Sequence, residues 1–195
     1  MRRIAWLGVA VLLGAAGPPP ADPDWPCVQR LVPRLTAGTL WSGHDAGGDW
    51  HADPQIAALV GKVAPRSVPT PAAKAQVEDF VAGVPAPDRP RVLPLVFAGL
   101  VDETNAQRSQ IIERLRGITR RQRMMTELTS TVTAELRALP PDTPAAQHEE
   151  VVNRRALMIR EYEEIERTIR YACEVPVQME SKLGTLAQVL QRATD

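Results

Sequence analysis

From Ile111 to Leu190 apolar side chains return every third and fourth residue, and the pattern is broken once, by Pro140-Pro141. Before the break the positions are Ile111, Leu115, Ile118, Gln122, Met125, Thr129, Val132, Leu136 and Leu139, polar only at Gln122 and Thr129. After it they are Val151, Arg155, Met158, Tyr162, Ile165, Ile169, Ala172, Pro176, Met179, Leu183, Leu186 and Leu190. A repeat of this kind puts one apolar stripe along each of two long helices, the seam of a coiled-coil-like pair. The first helix is read over Asp88 to Leu139, with Pro90 and Pro94 tolerated near its start. Pro140-Pro141-Asp142-Thr143 ends it; Thr143 is expected to cap the second helix, with Pro144 at its first position. Pro176 lacks the backbone donor and is expected to kink or break that helix near Ala172–Cys173. The short connection makes the helices antiparallel, each about 70 Å long at 1.5 Å per residue. Two helices bury little alone, so the short helices, the leading segment or a second subunit must cover the rest.

The leading segment differs in composition. Thirteen of the eighteen prolines fall in residues 1–90. Asp53-Pro54 reads as a helix cap followed by proline at the first helical position, opening a helix through Val63. Thr70-Pro71 reads as the same device for a second helix through about Val81, and Thr36 to Ala52 reads as loop. The expected fold class is therefore all-α: a long antiparallel helical hairpin with two short helices and a Pro/Gly-rich leader. Its parts are a signal peptide (1–21), the leader with the short helices (22–87) and the hairpin (88–195).

The signal-peptide reading rests on Arg2 and Arg3, the uncharged run Ile4 to Ala16, and Gly17-Pro18-Pro19-Pro20 after it. Cleavage is expected after Ala16 or Ala21. The run is shorter than the roughly 20 apolar residues of a membrane-spanning helix, and the later stretch Leu93 to Val101 is shorter still. The expectation is a periplasmic or secreted chain with no membrane span after cleavage. Without residues 1–21 it carries 21 basic against 23 acidic residues, two arginines having gone, and this near-balance offers no footprint for nucleic acid. Two cysteines in an oxidising compartment suggest one disulfide, Cys27 to Cys173, pinning the leader to the kink beside Pro176.

Chemistry is sparse. His44, Asp45, Asp49 and His51 lie in the glycine-rich stretch Trp41 to Asp53, and imidazole with carboxylate suits zinc, nickel or copper. Their spacing matches no established metal motif, and Asp53 is better read as a helix cap. There is no G-x-S-x-G elbow and no phosphate-binding glycine loop. Glu161 and Glu164 lack the Glu-x-x-His companion of a bundle-core metal site. The basic run Arg114, Arg116, Arg120, Arg121 and Arg123 is expected to pair with Glu161, Glu163, Glu164 and Glu166 on the antiparallel helix, the alternative being an acidic partner or anionic lipid.

Ile118-Thr119-Arg120-Arg121-Gln122 is similar to the L-T-x-x-Q pattern of periplasmic helical-hairpin chaperones, with Ile in place of Leu. The resemblance implies a dimeric, curved hairpin that cradles unfolded clients. Asp24-Trp25-Pro26-Cys27 together with Tyr171-Ala172-Cys173-Glu174-Val175-Pro176 resembles small exported proteins of Gram-negative bacteria, which implies the layout and no activity. The expected function is that of a periplasmic, non-enzymatic protein that binds another protein, as an adaptor or chaperone, or associates with itself, and needs no cofactor. The alternatives are a metal- or small-ligand-binding protein using the His44–His51 loop and, behind it, an enzyme whose site one sequence does not reveal.

Overall fold

The computed structural model describes residues 22–43 and 47–194. The signal-peptide reading falls on residues 1–21 and lies outside them. Within the described residues the chain is all helix and loop, with no strand. Five α-helices follow one another: α1 (Pro54–Val63), α2 (Thr70–Gly83), α3 (Arg89–Ala138), α4 (Ala145–Ala172) and α5 (Glu174–Arg192). Three-residue 3-10 turns sit at Ala37–Thr39, Trp50–Ala52 and Ala86–Asp88.

The long hairpin is present. α3 runs through Pro94, and every position of the repeat on α3 and α4 is buried or half-buried. Pro176 interrupts the second arm between Ala172 and Glu174, where Cys173 closes α4 and opens α5. Cys173 keeps helical angles, φ −64° and ψ −24°, so the chain passes from α4 into α5 without leaving the helical path. Asp53 caps α1 as expected, its Oδ1 accepting from the backbone N–H groups of Gln55 at 2.9 Å and Ile56 at 3.3 Å.

Two expected caps do not form. Pro69, not Thr70, precedes the first turn of α2, and Pro144, not Thr143, precedes that of α4. Each proline carbonyl accepts the first helical bond, from Ala73 and from His148. Proline's fixed φ suits the extended residue before a helix, so neither helix needs a side-chain cap. Thr143 serves the turn: its hydroxyl donates to Pro140 O at 2.7 Å.

Leader and hairpin share one core, although composition changes between them. Leu35, Trp41 and Trp50 from the leader, the stripe Ile56, Leu59, Val60 and Val63 of α1, and Val77 of α2 pack with Leu93, Val96, Phe97 and Leu100 of α3 and Leu183, Leu186 and Leu190 of α5. Trp41 stacks on Phe97 with ring centroids 4.8 Å apart. A β-carbon on Gly99 would lie 2.8 Å from Val60 and 2.9 Å from Trp50; this glycine lets α1 and the Trp50 turn reach the α3 backbone.

Buried polar side chains tie irregular backbone to this core. Asn105 accepts from Leu35 N at 2.8 Å and donates to Leu35 O at 2.9 Å. Lys182 donates to the carbonyls of Pro65 and Val68 in the α1–α2 connection, and its burial pulls its pKa down. Loop carbonyls buried against helices need such partners, because an unpaired one costs roughly 1–3 kcal/mol.

Beyond this base, α3 and α4 continue as an arm only two helices thick. A smaller cluster of Leu115, Met125, Ile165, Ile169 and Cys173 holds its lower part, with Trp25 and Cys27 of the leader packed against it. No helix among the described residues is long and apolar enough to cross a membrane.

Candidate functional site: the hairpin arm

The leader docks low on one flank of the arm. Cys27 and Cys173 are disulfide-bonded, their Cα atoms 5.5 Å apart, at the kink where the sequence placed the bond. Above it, Arg116 reaches Asp22 at 2.7 Å and Arg120 reaches Asp24 at 2.8 Å. Arg123 pairs with Asp24 and donates to Pro23 O at 2.9 Å.

This corrects the expectation for the basic run. Among the described residues only Arg121 of this run pairs across the hairpin, with Glu161. Glu164 and Glu166 pair along their own helix with Arg167 and Arg170. The reason is rotational: residues 116, 120 and 123 recur at helical spacing on the flank the leader covers, while 121 points to the other side. The Asp24 N–H and the Arg116 guanidinium hold the Asp22 carboxyl below its ordinary pKa, and Arg120 and Arg123 do the same for Asp24.

Higher on the same flank the leader stops and a groove opens between α3 and α4, with a volume of about 450 Å³. Thr126, Thr129, Ser130 and Thr133 of α3 line it opposite Ile159 and Tyr162 of α4, with Arg137 at its outer end. It exists because the seam fails locally. Thr129 takes a position where a large apolar residue would close the gap, and its buried hydroxyl has no hydrogen-bond partner among the described residues. Thr133 is engaged, donating to Thr129 O at 2.7 Å and accepting from Arg155 Nε at 3.0 Å. Arg137, in the last turn of α3, makes no ion pair among the described residues, so the outer end carries a cation without a carboxylate partner there. Of the two polar seam positions, Thr129 lines this groove and Gln122 does not, so Thr129 was its one trace in the repeat.

The other candidate residues divide. His44 and Asp45 lie outside the described residues. Asp49 accepts from the His51 backbone N–H and sits 2.9 Å from His51 Nδ1; these contacts, the backbone one first, lower its pKa. His51 also stacks on Trp50, ring centroids 3.6 Å apart. Asp49 and His51 thus serve one another at the start of the Trp50–Ala52 turn, and Asp53 is occupied as the α1 cap. Among the described residues no group of three His, Cys, Asp or Glu side chains is arranged to hold a metal. Glu161 and Glu164 are each held by an arginine and do not converge. Compared with protein-family models, curated proteins and solved structures, the chain matches none.

Proposed function

We propose that this chain is an exported, non-enzymatic helical protein that binds another protein along the groove of its hairpin arm, in the manner of an adaptor or chaperone. The observation that carries the reading is the gap at Thr129, where the arm lacks its own packing residue and leaves an apolar-walled groove ending at Arg137. Such a groove accepts a polypeptide segment whose apolar side chains supply the missing contacts, as an amphipathic element does in a helix-lined cleft. A carboxylate on that segment would meet Arg137. Methyl groups of the threonines with the faces of Ile159 and Tyr162 provide adaptable, weakly specific walls. The bracing of the leader by a disulfide and three arginines fits a protein that works in an oxidising compartment.

The test is Thr129→Leu. Leucine restores the apolar repeat, fills the groove and should raise the melting temperature, while binding of a reduced, carboxymethylated and permanently unfolded polypeptide falls at least tenfold. A stabilised variant that still binds that polypeptide as the wild type does would exclude the groove as the site. His51→Ala is expected to leave binding unchanged.

A further inference from the structure

The arm's opposite flank carries a different surface. Met124, Leu128 and Leu157 are 56%, 48% and 60% exposed there, large apolar side chains that no described residue covers. Arg121, Met124, Leu128 and Glu135 follow one another at helical spacing on α3, as Arg154, Leu157 and Glu161 do on α4. The cross-helix pairs Arg121–Glu161 and Glu135–Arg154 lock both stripes onto one face. An apolar centre is therefore framed by an ion pair at each end, and the two pairs have opposite sense: the cation is on α3 below and on α4 above.

We propose that this face pairs with the same face of a second copy of the chain, about a two-fold axis running past Leu128 and Leu157 at right angles to the helices. The charges are arranged symmetrically about that axis. Arg121 and Glu135 lie seven residues either side of Leu128, and Arg154 and Glu161 lie three and four residues either side of Leu157. The rotation brings α3 onto α3 antiparallel, so that Arg121 faces the second copy's Glu135 and Arg154 faces its Glu161. At each end two arginines and two glutamates then alternate around a square, each charge between two of opposite sign. Leu128 meets Leu128 and Leu157 meets Leu157 at the centre. An isologous two-fold interface requires this kind of self-complementarity, and a hetero-partner would give no reason for it.

Size and clearance agree. The arm from Ile111 to Ala138 is about 40 Å long, and two helices abreast are about 20 Å wide. Centred on Leu128 the two arms overlap over about 36 Å, which offers about 700 Å² per partner, close to the scale of a stable interface, and the product is a four-helix bundle. Arg108, buried in the base, lies about 30 Å from Leu128 along α3, whereas Pro140 at the tip lies about 18 Å away on the other side. Each tip therefore ends short of the other copy's base. The leader occupies the flank of Arg116, Arg120 and Arg123 and leaves this face bare. The inference is independent of the groove, which opens on the other flank.

The experiment is sedimentation of the intact chain over a range of concentrations. The wild type is expected to form dimers, and Leu128→Asp to give monomers with unchanged helix content, because Leu128 is half exposed, and with the melting temperature the wild type shows when diluted to monomers. A variant with all four charges inverted (Arg121→Glu, Glu135→Arg, Arg154→Glu, Glu161→Arg) keeps every attraction within itself and should dimerise. Mixed with the wild type it should form no mixed dimers, as read by native mass spectrometry. A wild type that stays monomeric at every concentration, dimers that survive Leu128→Asp, or free mixing of inverted and wild-type chains would each overturn the proposal. Failure here is separable from failure of the groove reading: Thr129→Leu should leave the dimer intact, and Leu128→Asp should leave polypeptide binding intact.

Discussion

Arg108, buried on α3, donates from Nη1 to the carbonyl oxygen of Pro176, 2.8 Å away across the core. Its Nη2 donates at 2.8 Å to Val32 O in the leader. One guanidinium therefore joins three parts of the chain: the long helix, the leader, and the first turn after the kink. Burial lowers its pKa and Glu180 at 4.0 Å works against that; the group remains a cation.

Replacing Arg108 by methionine keeps much of the side-chain volume and removes the donors. The Val32 and Pro176 carbonyls then lose their buried partner, and the leader loses an anchor below the disulfide. The expected loss is about 3 kcal/mol, measured as a lower urea midpoint. A loss under about 0.5 kcal/mol would show that water takes over both carbonyls.

The disulfide joins residues 146 apart in sequence. Removing it with Cys27→Ser and Cys173→Ser relieves the unfolded chain of a very long loop, a loss of up to about 5 kcal/mol on the chain-entropy view. The double variant should melt at a lower temperature than the non-reduced wild type. A reductant should lower the wild-type value towards the variant's and leave the variant unchanged. Equal melting temperatures without reductant would contradict a stabilising role for the bond.

Acid should loosen the leader before the base. Asp22 and Asp24 have pKa values lowered in the folded chain. Their contribution is therefore complete above the unfolded carboxylate value of about 3.9 and is lost as the pH falls below it, through the lowered folded values. In the cysteine-free double variant, amide protection over residues 22–35, taken relative to the intrinsic exchange rate at each pH, should fall between about pH 4 and pH 2 while the α3–α5 core stays protected. Asp22→Asn with Asp24→Asn should make leader exchange fast already at neutral pH and flatten that dependence. An unchanged acid profile would show that these ion pairs do not hold the leader.

Much of the architecture was legible because it is local. The 4-3 repeat places Leu115, Met125, Ile165 and Ile169 inward whatever else the chain does. Proline chemistry likewise marked the turn at Pro140-Pro141 and the kink at Pro176. The cap at Asp53 was legible for the same reason, a carboxylate two and three residues before unpaired N–H groups. Thr70 and Thr143 misled because a proline next to each could play the same part, and the choice turns on one backbone angle.

What the sequence by itself determined was periodicity: which residues share a helix face, where helices stop, and that two cysteines bracket the chain. Only the tertiary structure decided which flank of the arm each neighbour covers. A helical repeat assigns Arg116, Arg120, Arg121 and Arg123 to directions around an axis, and says nothing of what waits in each direction. The leader reached three of these arginines first because Cys27, Leu35 and Val32 hold it against that flank, leaving Arg121 for Glu161. The groove at Thr129 and the bare face around Leu128 follow from the same long-range packing. Each depends on contacts between segments tens of residues apart, which no local preference encodes.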